Sequence, residues 1–150
     1  MQNKATVHKG SCLCGRVTFE IDEAKGPFEI CHCRRCRKVS GSQAMAAVGV
    51  ETRHFRMLTG HEHIKCFTAP ILDHPPAYHS YFCAFCGSPM PDPSPEGGWF
   101  EIPAGLFDDP IGLQPDKHIY VEFTPDWDTI TDQLPRFSKD ELARLRYPEK

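Results

Sequence analysis

Seven of the eight cysteines in this 150-residue chain sit at spacings that can grip a metal ion. Cys12-Leu13-Cys14-Gly15 comes first, Cys31-His32-Cys33-Arg34-Arg35-Cys36 second and Cys83-Ala84-Phe85-Cys86-Gly87 third, while Cys66 stands alone. Two thiolates one or two residues apart can share one tetrahedral zinc, with sulfur at about 2.3 Å from the ion. The glycines that follow, Gly15 and Gly87, suit the positive φ such knuckles often demand. Cys12, Cys14, Cys83 and Cys86 make a closed four-thiolate set, a structural zinc with no vacant position for chemistry. It would staple the start of the chain to its middle, a folding role. Cys31, Cys33 and Cys36 supply three thiolates and leave one position open, which is the pattern of catalytic zinc. The neighbouring Arg34, Arg35, Arg37 and Lys38 favour thiolates and can hold an acidic substrate. A sulfur-rich exchangeable position suits a soft guest, such as an incoming thiol. Two other readings stay open for this cluster: a second structural site closed by His32, Cys66 or another histidine, or a metal-free redox set of thiols. The spacing matches no ferredoxin pattern.

The rest of the chain must position these sulfurs. One hundred and fifty residues, 40% hydrophobic and 25% charged, fit a single domain over residues 1–150 that needs no disulfides to fold. A net charge of −3 gives no general drive toward nucleic acid or an anionic membrane, the local run Arg34–Lys38 aside. The first eleven residues hold no apolar stretch of a secretion signal. The longest small-apolar run, Ala44–Val50, is far short of the roughly 20 residues of a spanning helix. A cytoplasmic chain with reduced thiols is the expectation, and in it cysteines serve as ligands or catalysts.

Strand patterns dominate. Arg16–Ile21 alternates polar and apolar residues, as does His118–Phe123, which would put Ile119, Val121 and Phe123 on one face. Phe28–Cys31, Ala46–Val50, His54–Leu58, His63–Phe67, Tyr78–Phe82 and Trp99–Ile102 are further strand candidates. Ser138-Lys139-Asp140-Glu141 is a capping box and opens a short C-terminal helix, with Leu142 and Leu145 toward the interior and Pro148 as its stop. Ser88–Gly98, with four prolines and two glycines, is a loop. These elements predict a mainly-β fold. Cys66 is expected as a buried apolar thiol. His61 and His63, flanking Glu62, read as a surface hairpin, and Asp108-Asp109-Pro110 as a turn. His32 is expected to orient its turn or bond a thiolate. Trp99 and Trp127 are expected in the core or in a pocket wall.

The ordered cysteine motifs resemble the glutathione-dependent formaldehyde-activating enzyme family, whose domain is shared by centromere protein V. The matching pieces are Gly10–Gly15, Cys31–Gly41 and Phe82–Ser88, then Ala104–Pro110, His118–Tyr120 and Asp126-Trp127, in order over roughly residues 8 to 137. The resemblance implies a fold of small antiparallel sheets around a structural zinc held by Cys12, Cys14, Cys83 and Cys86. It implies a second zinc on Cys31, Cys33 and Cys36, so two ions per chain, with the open position facing substrate. It implies a carbon–sulfur lyase that joins formaldehyde to the thiol of glutathione, giving S-hydroxymethylglutathione. A zinc-stabilised binding module without catalysis is the alternative. Cys66 and the loop Pro89–Pro95 fall outside the family pattern, and no motif here marks glutathione-binding residues or an oligomeric state.

Overall fold

The computed structural model describes residues 6–73 and 75–149; residues 1–5, part of the N-terminal stretch read above, lie outside it. Among the described residues ten strands form three sheets. β1 (His8–Ser11), β2 (Thr18–Ile21) and β5 (Phe55–Thr59) make an antiparallel sheet in the order β1-β2-β5. A five-stranded sheet runs β10-β9-β3-β4-β8, from β3 (Phe28–Cys31), β4 (Met45–Glu51), β8 (Trp99–Pro103), β9 (Lys117–Ile119) and β10 (Arg136–Phe137). β6 (Ile64–Thr68) and β7 (His79–Cys83) form a separate hairpin. The mainly-β expectation holds, with one refinement. β9 pairs in parallel with both β3 and β10, so the large sheet is mixed.

The core lies between the first two sheets. Phe19 and Ile21 of β2 are fully buried, as are Val48 and Ile102 of β4 and β8, and all four belong to one apolar cluster. Phe19 sits at its centre, its ring 5.8 Å from Phe55 and 5.7 Å from Phe107. Burying such a side chain stabilises the fold by about 1.5–3 kcal/mol. Strand alternation then decides the other face of the large sheet. In β3 and β4 the register sets Glu29 opposite Ala47 and Cys31 opposite Met45. Beyond β4, Pro103 faces Ala47 and Glu101 faces Gly49. These residues point away from the core, and they make the floor of the site.

Two helices flank this face. α2 (Lys139–Arg146) has the capping box read from Ser138 and Glu141. It buries Leu142, but Leu145 is exposed, contrary to expectation, because a helix of eight residues has room to press only a narrow stripe on the fold. α1 (Arg34–Ser40) was not legible from periodicity: none of its residues is buried. It is set by its ends, since the Cys33 sulfur accepts the Cys36 N–H at 3.3 Å and Gly41 closes it at φ 65°. The expected strand His118–Phe123 stops at Ile119, where Tyr120 takes φ 56° and starts a 3-10 turn over Val121–Phe123. Val121 and Phe123 therefore do not extend the face of Ile119.

Other expectations divide. His61–His63 is a 3-10 turn joining β5 to β6 near the surface, but not a hairpin, because β5 pairs with β2 and β6 with β7. Asp108 and Asp109 are structural, accepting hydrogen bonds from the Ser11 hydroxyl at 2.8 Å and the Lys9 N–H at 2.9 Å. Cys66 is exposed rather than buried, because the β6–β7 hairpin turns most of β6 to solvent. Trp99 and Trp127 are 53% and 67% exposed, so neither belongs to the core.

Candidate metal centres and pocket

The first cluster gathers sulfurs from two distant knuckles. Cys12 and Cys14 open the β1–β2 connection, and the turn closes through Gly15 N–H to the Cys12 carbonyl, with Gly15 at φ 77°. Cys83 ends β7, and Gly87 N–H closes the matching turn onto its carbonyl. The Ser88 hydroxyl ties the two turns, accepting the Leu13 N–H at 3.0 Å and lying 3.3 Å from the Cys86 sulfur. The four sulfurs lie within 4.8 Å of one another, with Cys12 to Cys14 at 3.5 Å and Cys14 to Cys83 at 3.9 Å. A tetrahedron of sulfurs about 2.3 Å from zinc has edges of about 3.8 Å, so the donor set fits the ion. Hydrogen bonding to Ser88 draws the Cys86 thiol down to about 5, and the Arg16 backbone N–H lowers Cys14. Burial raises Cys83. Cys12 and Cys83 are buried at the edge of the core, where an ion would join the apolar cluster to the surface knuckles.

The second cluster is built by the end of β3 and the start of α1. Cys31 is the last strand residue, Cys33 is the helix N-cap and Cys36 lies one turn on, which converges the three sulfurs to within 4.8 Å. Cys33 is the member held below the ordinary thiol range. The Cys31 and Cys36 thiols and the backbone N–H groups of Cys36 and Arg35 favour its thiolate. Sharing with Cys33 correspondingly raises Cys31. Cys36 is raised as well, by Cys31 first and Cys33 next. Such a set of convergent sulfurs fits a soft cation. His32 is not among the donors. It is buried and meets His118 (Nε2 to Nδ1, 2.8 Å), so the expected bond to a thiolate gives way to a bond between rings.

What separates the clusters is access. Cys31, Cys33 and Cys36 line a cavity of about 670 Å³, and none of Cys12, Cys14, Cys83 or Cys86 does. Ligand pockets typically span about 300–1,000 Å³. The floor is the outer face of the large sheet, with Glu29, Met45, Ala47 and Glu101. Its walls come from Tyr78 and Tyr120, from Arg34 and Arg35 of α1, and from Lys139 and Arg146 of α2. Neither tryptophan lines it. Arg35 donates to the Pro70 carbonyl and stacks near Tyr78, while Arg34 lies over the Phe123 ring at 5.7 Å. Arg37 instead donates to the Phe123 carbonyl, bracing the helix. Glu29 is 3% exposed and doubly paired, to Arg146 and to Lys117. Burial pushes the Tyr78 hydroxyl up to about 12.

Sequence reading missed Glu29, Glu101, Tyr78, Tyr120, Lys139 and Arg146 as pocket residues. The carboxylates carried a signal, since each stands in a short apolar strand segment (Phe28-Glu29-Ile30 and Phe100-Glu101-Ile102) at the phase opposite to the core residues. Lys139 and Arg146 carried none, because only the docking of α2 brings them over the floor.

A mainly-β scaffold with two thiol clusters of metal-binding geometry, one of them open to a pocket, defines the class of protein. The chain belongs to the glutathione-dependent formaldehyde-activating enzyme family, whose model matches residues 7–123. It is 29% identical over 124 residues to a Halomonas elongata protein named "Putative glutathione-dependent formaldehyde-activating enzyme", covering 79% of this chain and 78% of that one. A solved structure of a Rhodobacter sphaeroides protein is similar at a TM-score of 0.49 and 19% identity, over 71% of this chain and 91% of that one. The family match ends before α2, whose cations nonetheless line the pocket.

Proposed function

We propose that this chain is a zinc-dependent, carbon–sulfur lyase-type enzyme that adds a thiol such as glutathione to formaldehyde or a related small aldehyde. The observation that carries the reading is the contrast in access: the three-thiol cluster opens into the pocket and the four-thiol cluster does not. Residues 1–150 act as one domain with two zincs, a structural one on Cys12, Cys14, Cys83 and Cys86 and a second on Cys31, Cys33 and Cys36. A zinc on the second set would supply a Lewis-acid position that favours the thiolate of an incoming thiol at neutral pH.

This chain's own residues do the rest. Arg34 has no carboxylate partner among the described residues and faces the cavity, so it is the cation we assign to a substrate carboxylate. Arg35, held by Pro70 and Tyr78, backs it. The aromatic walls at Tyr78 and Tyr120 exclude water from the carbon–sulfur bond being formed, and the confined volume holds thiol and aldehyde together. The setting we assign is cytoplasmic, where thiols stay reduced, with neither nucleic acid nor membrane as partner. No helix among the described residues is long and apolar enough to cross a membrane.

Native mass spectrometry of the purified chain, with and without glutathione, tests the reading. Two zincs per chain and a glutathione adduct that disappears in Cys33→Ser are expected. One zinc and no adduct would leave the domain a zinc-stabilised binding module.

A further inference from the structure

We propose, resting on the reading above, that Glu101 is the proton-transfer group of the thiol–aldehyde addition. Its place in the sheet carries the inference. Glu101 lies on β8 at the phase opposite to the buried Ile102, so its carboxylate stands on the pocket floor shared with the three thiols. Its cross-strand neighbour is Gly49, where an added Cβ would come within 2.7 Å of the Gly26 carbonyl oxygen, so no side chain covers the carboxylate from that strand.

The other acids of the pocket differ in one respect. Glu29 is engaged by Arg146 and Lys117, Asp73 by Lys139, and Asp92 accepts the Ser94 N–H at 2.9 Å. No hydrogen bond or ion pair joins Glu101 to another described residue, so it alone of these four is uncommitted. The charged groups around it are Glu29 and Cys33, which oppose its ionisation, and Arg146, which favours it. Although Glu101 is solvent-accessible, the pocket walls partly desolvate its carboxyl, and with the charge of Glu29 they hold it above the ordinary carboxylate range, closer to the working pH of a proton shuttle.

The addition has one proton to move. The thiol sulfur forms a bond to the aldehyde carbon as the C=O π bond breaks, and its electron pair goes to oxygen. Glu101 takes the proton leaving sulfur and returns it to the new alkoxide. The product is the S-hydroxymethyl thiol, the carboxylate is regenerated, and no other reactant is needed.

The test compares wild type with Glu101→Gln and Glu101→Asp, using glutathione and formaldehyde, with rates taken above the uncatalysed reaction. Metal content and thermal unfolding are measured on the same samples. The proposal expects kcat to fall about 10²–10⁴-fold in Glu101→Gln. It also expects a KM within a few-fold of wild type, unchanged metal content and loss of the acidic limb of the pH–rate profile. Glu101→Asp, which keeps the carboxylate, recovers part of the rate and the limb. An active wild type whose kcat and pH profile survive in Glu101→Gln overturns the role of Glu101 alone. Should Glu101→Gln fail to fold, a Glu101→Asp profile without an acidic limb overturns it equally. A wild type that accelerates no thiol–aldehyde pair overturns the enzyme reading, and this proposal with it.

Discussion

His32 and His118 meet ring to ring, Nε2 to Nδ1 at 2.8 Å, in the buried turn between Cys31 and Cys33. The direction of the bond follows from the next contact. His118 Nε2 lies 2.9 Å from the Asp132 carboxylate, which can only accept, so that nitrogen carries the proton. Nδ1 of a neutral His118 is then a lone pair, and His32 Nε2–H donates to it. Burial holds His32 below its ordinary pKa, consistent with a neutral ring. The relay from Asp132 to His32 fixes the backbone that aims Cys31 and Cys33 into the pocket.

Removing the middle of that relay has a measurable cost. His118→Ala strands the His32 N–H in the interior and should lower unfolding stability by about 1–3 kcal/mol. Urea midpoints at fixed metal content report it. A midpoint equal to wild type would mean the relay is ornamental.

The two clusters should respond differently to loss of one sulfur. Cys83→Ser removes a buried donor of the closed set, and we expect one ion lost together with a sharp drop in melting temperature. Cys33→Ser replaces one helix N-cap by another good one, so the fold should persist while the pocket ion and turnover go. Metal analysis beside thermal melts separates the cases, and equal destabilisation by both variants would contradict the division of roles.

Gly60 makes a sharper prediction than any apolar position. It adopts φ +77°, and a Cβ there would stand 2.2 Å from the Arg16 carbonyl oxygen, a backbone atom. Gly60→Ala should therefore destabilise by about 1–3 kcal/mol or more, through overpacking added to left-handed strain. Chemical denaturation checks it, and a neutral outcome would rule out this close approach.

Acid should weaken the fold through two carboxylates. Arg56 grips Asp22 with both terminal nitrogens, at 2.6 and 2.9 Å, and holds its carboxyl below the usual range. The His118 contact does the same for Asp132. A carboxyl with a lowered folded pKa binds fewer protons folded than unfolded. Its contribution is complete above the unfolded value of about 3.9 and is lost as pH falls through the folded one. Midpoints measured from pH 7 to pH 3 should fall at the acid end, and less steeply in Asp22→Asn. Parallel curves for the two proteins would exclude Asp22 as a contributor.

Local chemistry was readable from sequence, and long-range docking was not. The two thiol clusters follow from spacing, since Cys12/Cys14 and Cys83/Cys86 each lie in a turn whose geometry is set within five residues. Strands such as Phe28–Cys31 follow from alternation, and the capping box at Ser138 from its own four residues. α1 escaped because its stability comes from a sulfur cap and a glycine stop rather than an apolar stripe. The early end of β9 escaped because alternation through Phe123 gives no sign that Tyr120 adopts a left-handed backbone. Cys66 and the tryptophans misled because an apolar residue type does not say which side of a two-stranded hairpin or a sheet edge it occupies.

The docking of α2 has a practical consequence. Arg146 reaches Glu29 across 117 positions of sequence, and Lys139 reaches Asp73 across 66, yet no sulfur donor lies on the helix. The wall and the thiols therefore come from separate stretches of chain. Substitutions at Lys139 that keep Arg146 on the buried Glu29 and Leu142 in the interior would redraw the charge of the cavity away from the sulfurs, which makes this helix the place to begin altering which thiol the pocket admits.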